Sequence, residues 1–155
     1  MTFMISGLDY QPFALLFGMS DTQLEERGGV RRVVDEHPGF PCRVSLQDAQ
    51  IGETVLLVNY EHLPVASPYR ASHAIYVREN APRASLDVDE IPEVMRTRLL
   101  SMRAYDRGGM MVSADVAQGE QVDPLIRKML ADPRVAYLHA HNAKPGCYSA
   151  RIDRA

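Results

Sequence analysis

The sequence predicts a single α+β domain, residues 1–155, built on a largely antiparallel sheet with two or three helices. Three observations point there. A chain of 155 residues fits one domain and one core, burying roughly two thirds of the surface it would expose unfolded. Segments patterned as strands outnumber those patterned as helices, and the helices fall between hairpins without a regular βαβ alternation.

Taken in order, Phe3 to Leu8 reads as an opening strand. Ser20 and Gln23 have the spacing of a capping box ahead of a short helix, which Gly28-Gly29 stops. Val30 to Val34 is a further short strand. After "HPGFP", Cys42 to Leu46 alternates like a strand and "QDAQIGE" makes a turn or a single helical turn. Thr54 to Tyr60 is a buried strand by its Val and Leu content, and His73 to Arg78 pairs with it. Between these two, "NYEHLPVASPYRASH" from Asn59 to His73 shows no periodicity and reads as a long polar loop.

A helix is expected over Asp89 to about Arg98, from Ile91, Val94, Met95 and Leu99 at helical spacing with Pro92 near its start. Leu100 to Tyr105 and Met110 to Val116 form a hairpin around "DRGG". The clearest helix begins at Asp123 with Pro124 in its first turn. It places Val122, Leu125, Ile126, Met129 and Leu130 in one apolar stripe, and Asp132-Pro133 ends it. Val135 to His141 and Cys147 to Asp153 close the chain as two strands joined by "NAKPG".

Composition removes several classes of function. The chain is 46% hydrophobic and 24% charged with a formal net charge of −3, and no basic run exceeds a pair, so a nucleic-acid partner is not expected. Apolar runs such as "VLLV" are far shorter than the roughly 20 residues that span a bilayer. No Lys or Arg precedes the first apolar residues, and Asp9 and Pro12 interrupt that stretch. A signal peptide is therefore not read, and a cytoplasmic location with no membrane partner is expected. Cys42 and Cys147 then read as reduced thiols.

The segments "FPCRVSLQDAQIGETVLLVNYEH", "PYRASHAIYVRE", "MRAYD" and "GCYSARIDR", in this order, resemble the bacterial family catalogued as domain of unknown function 1203. The likeness covers most of the chain after Phe40. It implies a small stand-alone bacterial domain and brings no activity, substrate or cofactor with it. Functional candidates therefore come from the chemistry of the residues.

The stretch "YLHAHNAKPGCYSARIDR" holds His139, His141 and Cys147 within nine residues. Residues two apart on a strand share a face, so both imidazoles can meet one metal ion or serve as base to a Cys147 nucleophile. Closed zinc sites usually show a second Cys pair, and here only the distant Cys42 remains. No metal and no cofactor is assigned from the sequence, and a strand face bearing two ordinary histidines is the simpler alternative. A reversible Cys42–Cys147 disulfide is a third option. In the long loop, Glu61, His62, Tyr69, Arg70 and His73 can bind and orient an anion. Arg43 and Arg103, in other strands, would complete a fork-shaped receptor if their guanidinium groups converge with Arg70. The usual signatures of phosphate-cradling loops, dinucleotide binding, serine esterases and His-Glu-x-x-His metalloproteases are absent. The reading favoured by these residues is a polar pocket that binds a small anionic molecule through Arg43, Arg70, Arg103, Tyr69, His62 and Cys42. The alternatives are an enzyme with a thiol or metal site at Cys147, His139 and His141, and an interaction module without a pocket.

Overall fold

A computed structural model describes all residues, 1–155. Its strands form two antiparallel sheets. In the five-stranded sheet the order is β1 (Phe3–Ser6), β8 (Tyr148–Arg154), β7 (Tyr137–Asn142), β5 (Leu99–Tyr105), β6 (Met111–Gln118); in the three-stranded sheet it is β2 (Val30–Val33), β3 (Thr54–Leu63), β4 (Ala71–Arg78). Four short helices accompany them: α1 (Gln11–Phe17), α2 (Asp21–Glu26), α3 (Glu93–Arg96) and α4 (Val122–Leu130). The α+β class and the antiparallel pairing are as the sequence predicts. No helix is long and apolar enough to cross a membrane.

One face of the five-stranded sheet is the main core. Leu100, Met102 and Ala104 of β5, Leu138 and Ala140 of β7, and Ala150 and Ile152 of β8 pack there with Val122, Ile126, Met129 and Leu130 of α4. The apolar stripe of α4 is thus buried, as its spacing requires. A second core lies on the three-stranded sheet, where Leu56, Val58, Ile75 and Val77 meet Phe13 of α1 and Leu24 of α2. The capping box on α2 forms in full: Ser20 Oγ accepts from the Gln23 N–H, and Gln23 Oε1 accepts from the Ser20 N–H.

Four expectations need correction. Residues 42–46 are a buried connection rather than a strand, because their backbone groups bond to three separate segments and across their own turn. The Arg43 N–H donates to Tyr76 O, the Leu8 N–H to Arg43 O, the Ala84 N–H to Val44 O, the Cys42 N–H to Gln47 O, and the Leu46 N–H to Cys42 O. The helix expected over Asp89 to Arg98 shrinks to Glu93–Arg96. Asp89, at φ +64°, exchanges hydrogen bonds with the backbone of Phe3, and Pro92 is extended. Gly119 also leaves no room for a Cβ, since one built there would lie 1.6 Å from Met95 O. Helix α1 had no sequence signal beyond Pro12, whose ring suits a first helical turn.

The fourth correction bears on function. The stretch from Asn59 to His73 is not one long loop. Strand β3 runs on through Leu63 and β4 begins at Ala71, so only residues 64–70 turn. His62 and His73 therefore stand on paired strands.

Candidate functional site

Along β3, Leu56, Val58, Tyr60 and His62 alternate with partners that face away, and the first two are core residues. Register places Leu56 opposite Val77, Val58 opposite Ile75 and Tyr60 opposite His73. The apolar face of this sheet thus passes, two residues further along each strand, into a face of Tyr60, His62 and His73. A bulge between Tyr60 and Leu63 bends β3 at this place.

The five-stranded sheet supplies the other half. His139 and His141 occupy alternate positions of β7, on the face opposite Leu138 and Ala140, where Arg103 and Ser101 of β5 stand beside them in register. A second bulge, between Ala140 and His141, sets Tyr148 of β8 opposite His141. The sheets meet where these faces touch. The His62 ring lies 4.8 Å from that of His73, 4.9 Å from His141, 5.1 Å from His139 and 5.2 Å from Tyr148, centroid to centroid.

Hydrogen bonding leaves this cluster incomplete. His141 Nδ1 is 3.0 Å from Gly146 O; a carbonyl only accepts, so the proton sits on Nδ1 and Nε2 carries a bare lone pair. That Nε2 is buried without a partner, as are Nε2 of His62 and Nδ1 of His73. His62 Nδ1 and His139 Nδ1 share one hydrogen bond of 2.9 Å. One ring nitrogen from each of His62, His73 and His141 lies within 4.8 Å of the others.

The electrostatics keep all four rings neutral. Burial, with help from His73 and Arg103, lowers His62 to about 4. Burial and the neighbouring His62 and His141 lower His139 to about 2. Burial, opposed by the Gly146 hydrogen bond, lowers His141 to about 3. His73 also falls, through burial and the charges of Arg103 and Arg43. Neutral imidazoles with free lone pairs are the state that binds metal ions.

Arg43 lies between the sheets and is 2% exposed. Its Nε–H donates to Tyr148 O at 2.8 Å, one terminal nitrogen donates to Pro41 O, and the other donates to Cys147 Sγ at 3.0 Å. No carboxylate comes within ion-pair distance of it, and burial pulls it below the ordinary guanidinium value, an effect that Cys147 opposes. A cavity of about 490 Å³ opens beside it, lined among others by Arg43, His73, Arg98, Asn142, Lys144 and Cys147. Asp48 neutralises Arg98 through a 2.6 Å ion pair. Arg43 and Lys144 are left as the uncompensated charges of the cavity.

Residues 39–154 match the model of a family described as a protein of unknown function, DUF1203. The chain belongs to that family. No curated protein and no solved structure matches it. All the histidines of the cluster, with Arg43 and Cys147, lie inside the matched DUF1203 region, whereas α1, α2, β1 and β2 precede it.

Within this DUF1203 domain the residues singled out from sequence are sorted by the fold. His62, His139 and His141 come together, and Arg103 stands behind them. Arg43 and Cys147 meet at the cavity. Arg70 does not join them: it pairs with Glu61 at 2.9 Å on the surface, and Tyr69 beside it is 39% exposed with its ring 6.4 Å from that of Tyr105. Cys42 is fully buried, its sulfur accepting from the Arg78 N–H at 3.3 Å, and both cysteines are free thiols. His73, which the sequence offered only as one of the anion-orienting groups of a loop, joins the histidine cluster instead, and a signal for that placement existed. Asn59 and Glu61 are exposed while Tyr60 and His62 face inward, the same period of two that runs through Leu56 and Val58.

Proposed function

We propose that this protein binds a divalent transition-metal ion of the zinc class through His62, His73 and His141, leaving one position open for a small anion. The observation that carries the reading is the convergence of three neutral imidazoles whose buried nitrogens have no partner. Histidine ligands sit about 2.0–2.1 Å from zinc, so a tetrahedral site needs nitrogens roughly 3.4 Å apart. Separations within 4.8 Å close to that by small ring rotations. Two of the rings already have outer partners of the kind that orient metal ligands: Gly146 O fixes His141, and His139 holds His62.

Charge supplies the second half of the reading. The three ligands are neutral, Arg103 and Arg43 bear on the same rings, and no carboxylate belongs to the cluster. A dication placed there needs a negative partner, because uncompensated charge in a buried site is costly. An anion with a carboxylate or phosphate group meets that need, and the cavity shared by His73, Arg43 and Lys144 is a route for it. Three histidines plus an open position is also the arrangement that activates water. Burial pushes the Tyr148 phenol up and keeps it protonated, so it does not serve as the base for such a water, and no carboxylate belongs to the cluster to take that role. Anion binding is therefore favoured over hydrolysis.

The test is equilibrium dialysis of untagged protein against zinc, with metal content measured by mass spectrometry. One zinc per chain is expected, lost in His62→Gln, His73→Gln and His141→Gln and kept in His37→Gln, whose Nδ1 lies 3.0 Å from Ala49 O away from the cluster. Cobalt in place of zinc then reports the anion, through a change in its visible spectrum on adding acetate or phosphate. Zinc content that is negligible, or indifferent to the three substitutions, refutes the reading.

A further inference from the structure

We propose that Cys147 is a nucleophilic thiol that reacts with small electrophiles carrying an oxyanion, a carboxylate or a phosphate. This takes from the reading above only the charged cavity beside Arg43 and does not depend on the metal.

Three observations converge on the sulfur. Cys147 is half-buried and lines the cavity, with its Sγ 3.0 Å from a guanidinium nitrogen of Arg43. The other partners of that guanidinium are the carbonyls of Tyr148 and Pro41, so Cys147 is the one hydrogen-bonded neighbour able to take up negative charge. A cation in hydrogen-bond contact is what activates cysteine as a nucleophile. The third observation is Asn142, which is 6% exposed and lines the same cavity. Its Oδ1 has no donor and its amide nitrogen lies 3.9 Å from Cys147 Sγ. That oxygen suits an N–H or O–H of a bound molecule. Cys42 has none of this: it is fully buried among Val44, Leu56 and Ile75.

The oxyanion is recognised by charge. Arg43 uses three of its five N–H donors inside the protein, and Lys144 stands at the cavity without an ion pair. In the reaction Sγ attacks the electrophilic carbon, a sulfur–carbon bond forms, and the bond from carbon to the leaving group breaks. The electron pair departs with the leaving group and the thiol proton passes to solvent.

Iodoacetate and iodoacetamide separate the ideas, because they deliver the same carbon with and without a carboxylate. Native protein in chelator at pH 7 is labelled with each, the rate is read at both cysteines by mass spectrometry, and the same two rates are taken in urea as reference. Cys147 should label well before Cys42, with an iodoacetate-to-iodoacetamide ratio about tenfold above that of the unfolded chain. Inorganic phosphate should slow the iodoacetate reaction. Lys144→Ala, at an exposed site, should lower the ratio. Equally slow labelling of both cysteines, or a ratio equal to that in urea, overturns the proposal. Because chelator removes metal, neither result bears on the histidine centre. A cobalt spectrum indifferent to anions alongside a strong iodoacetate preference would assign the anion to Cys147 and not to the metal.

Discussion

The two faces of strand β7 are made of residues that alternate in sequence and do opposite work. Leu138 and Ala140 turn into the core, where they pack with the apolar residues of α4, β5 and β8. His139 and His141 turn the other way, into a contact between sheets made of imidazole and phenol rings, where ring nitrogens remain without partners. Burial on the first face stabilises, at roughly 25 cal/mol per Å² of apolar surface. Burial on the second face costs, because desolvated polar groups lack their hydrogen bonds. A sheet that maintains both holds the second face at the expense of the first, which is the pattern of a site.

The contrast can be broken most severely from the apolar side. Met129, 5% exposed in the core, should not tolerate a carboxylate. Met129→Asp is expected to cost about 4 kcal/mol or more, visible as loss of the cooperative thermal transition. An unchanged melting temperature would show that the α4 face is not the stabilising one.

Acid should break it from the other side. His62, His139 and His141 are held at about 4, 2 and 3 when folded, against about 6.5 in an unfolded chain. Their folded values are lowered, so the unfolded state binds more protons below pH 6.5. Stability is complete above that value and falls as the pH drops toward 4. Three such groups give a slope near 4 kcal/mol per pH unit, enough to unfold an ordinary domain between about pH 4 and 6. Denaturant titrations across that range check it, and a flat profile would mean that the rings are solvated.

Zinc should sharpen the difference by completing the costly face. At a free concentration one hundred times its dissociation constant, a ligand specific for the folded state adds about 2.7 kcal/mol. Calorimetry with and without zinc reads it, and the gain should vanish in His73→Gln.

The smallest effect expected is the most discriminating. His141→Leu removes an unpartnered buried nitrogen and fills the space with carbon, at the cost of one hydrogen bond to Gly146 O, so metal-free stability should stay within about 1.5 kcal/mol of the parent. A large loss would make His141 a structural residue.

How much of this was legible depends on the range of the signal. The β7–β8 hairpin, the shared face of His139 and His141, and the buried stripe of α4 follow from local periodicity and turn residues, and they stand. His62 and His73 were masked by Pro64, Pro68 and the polar residues around them, which make two strand ends and a short turn look like one loop. The partner of Cys147 was out of reach for another reason. The cation hydrogen-bonded to its sulfur is not a sequence neighbour: Arg43 arrives from 104 positions away on a buried connection that alternates like a strand without being one. Arg70, next to the apolar strand β4, was an equally good candidate on composition, and Glu61 nine residues back takes it out of play.

The claim at the centre of this account is that three neutral histidines offer free lone pairs to one ion. Long-range ¹H–¹⁵N NMR of the imidazoles, on metal-free protein at pH 7 and again with one equivalent of zinc, addresses it directly. The account predicts neutral tautomers before zinc, with the His141 proton on Nδ1. One ring nitrogen each of His62, His73 and His141 should then move on metal addition, while His37 stays where it was. Imidazolium signals from the cluster in the metal-free protein, or zinc that moves none of these nitrogens, would contradict it.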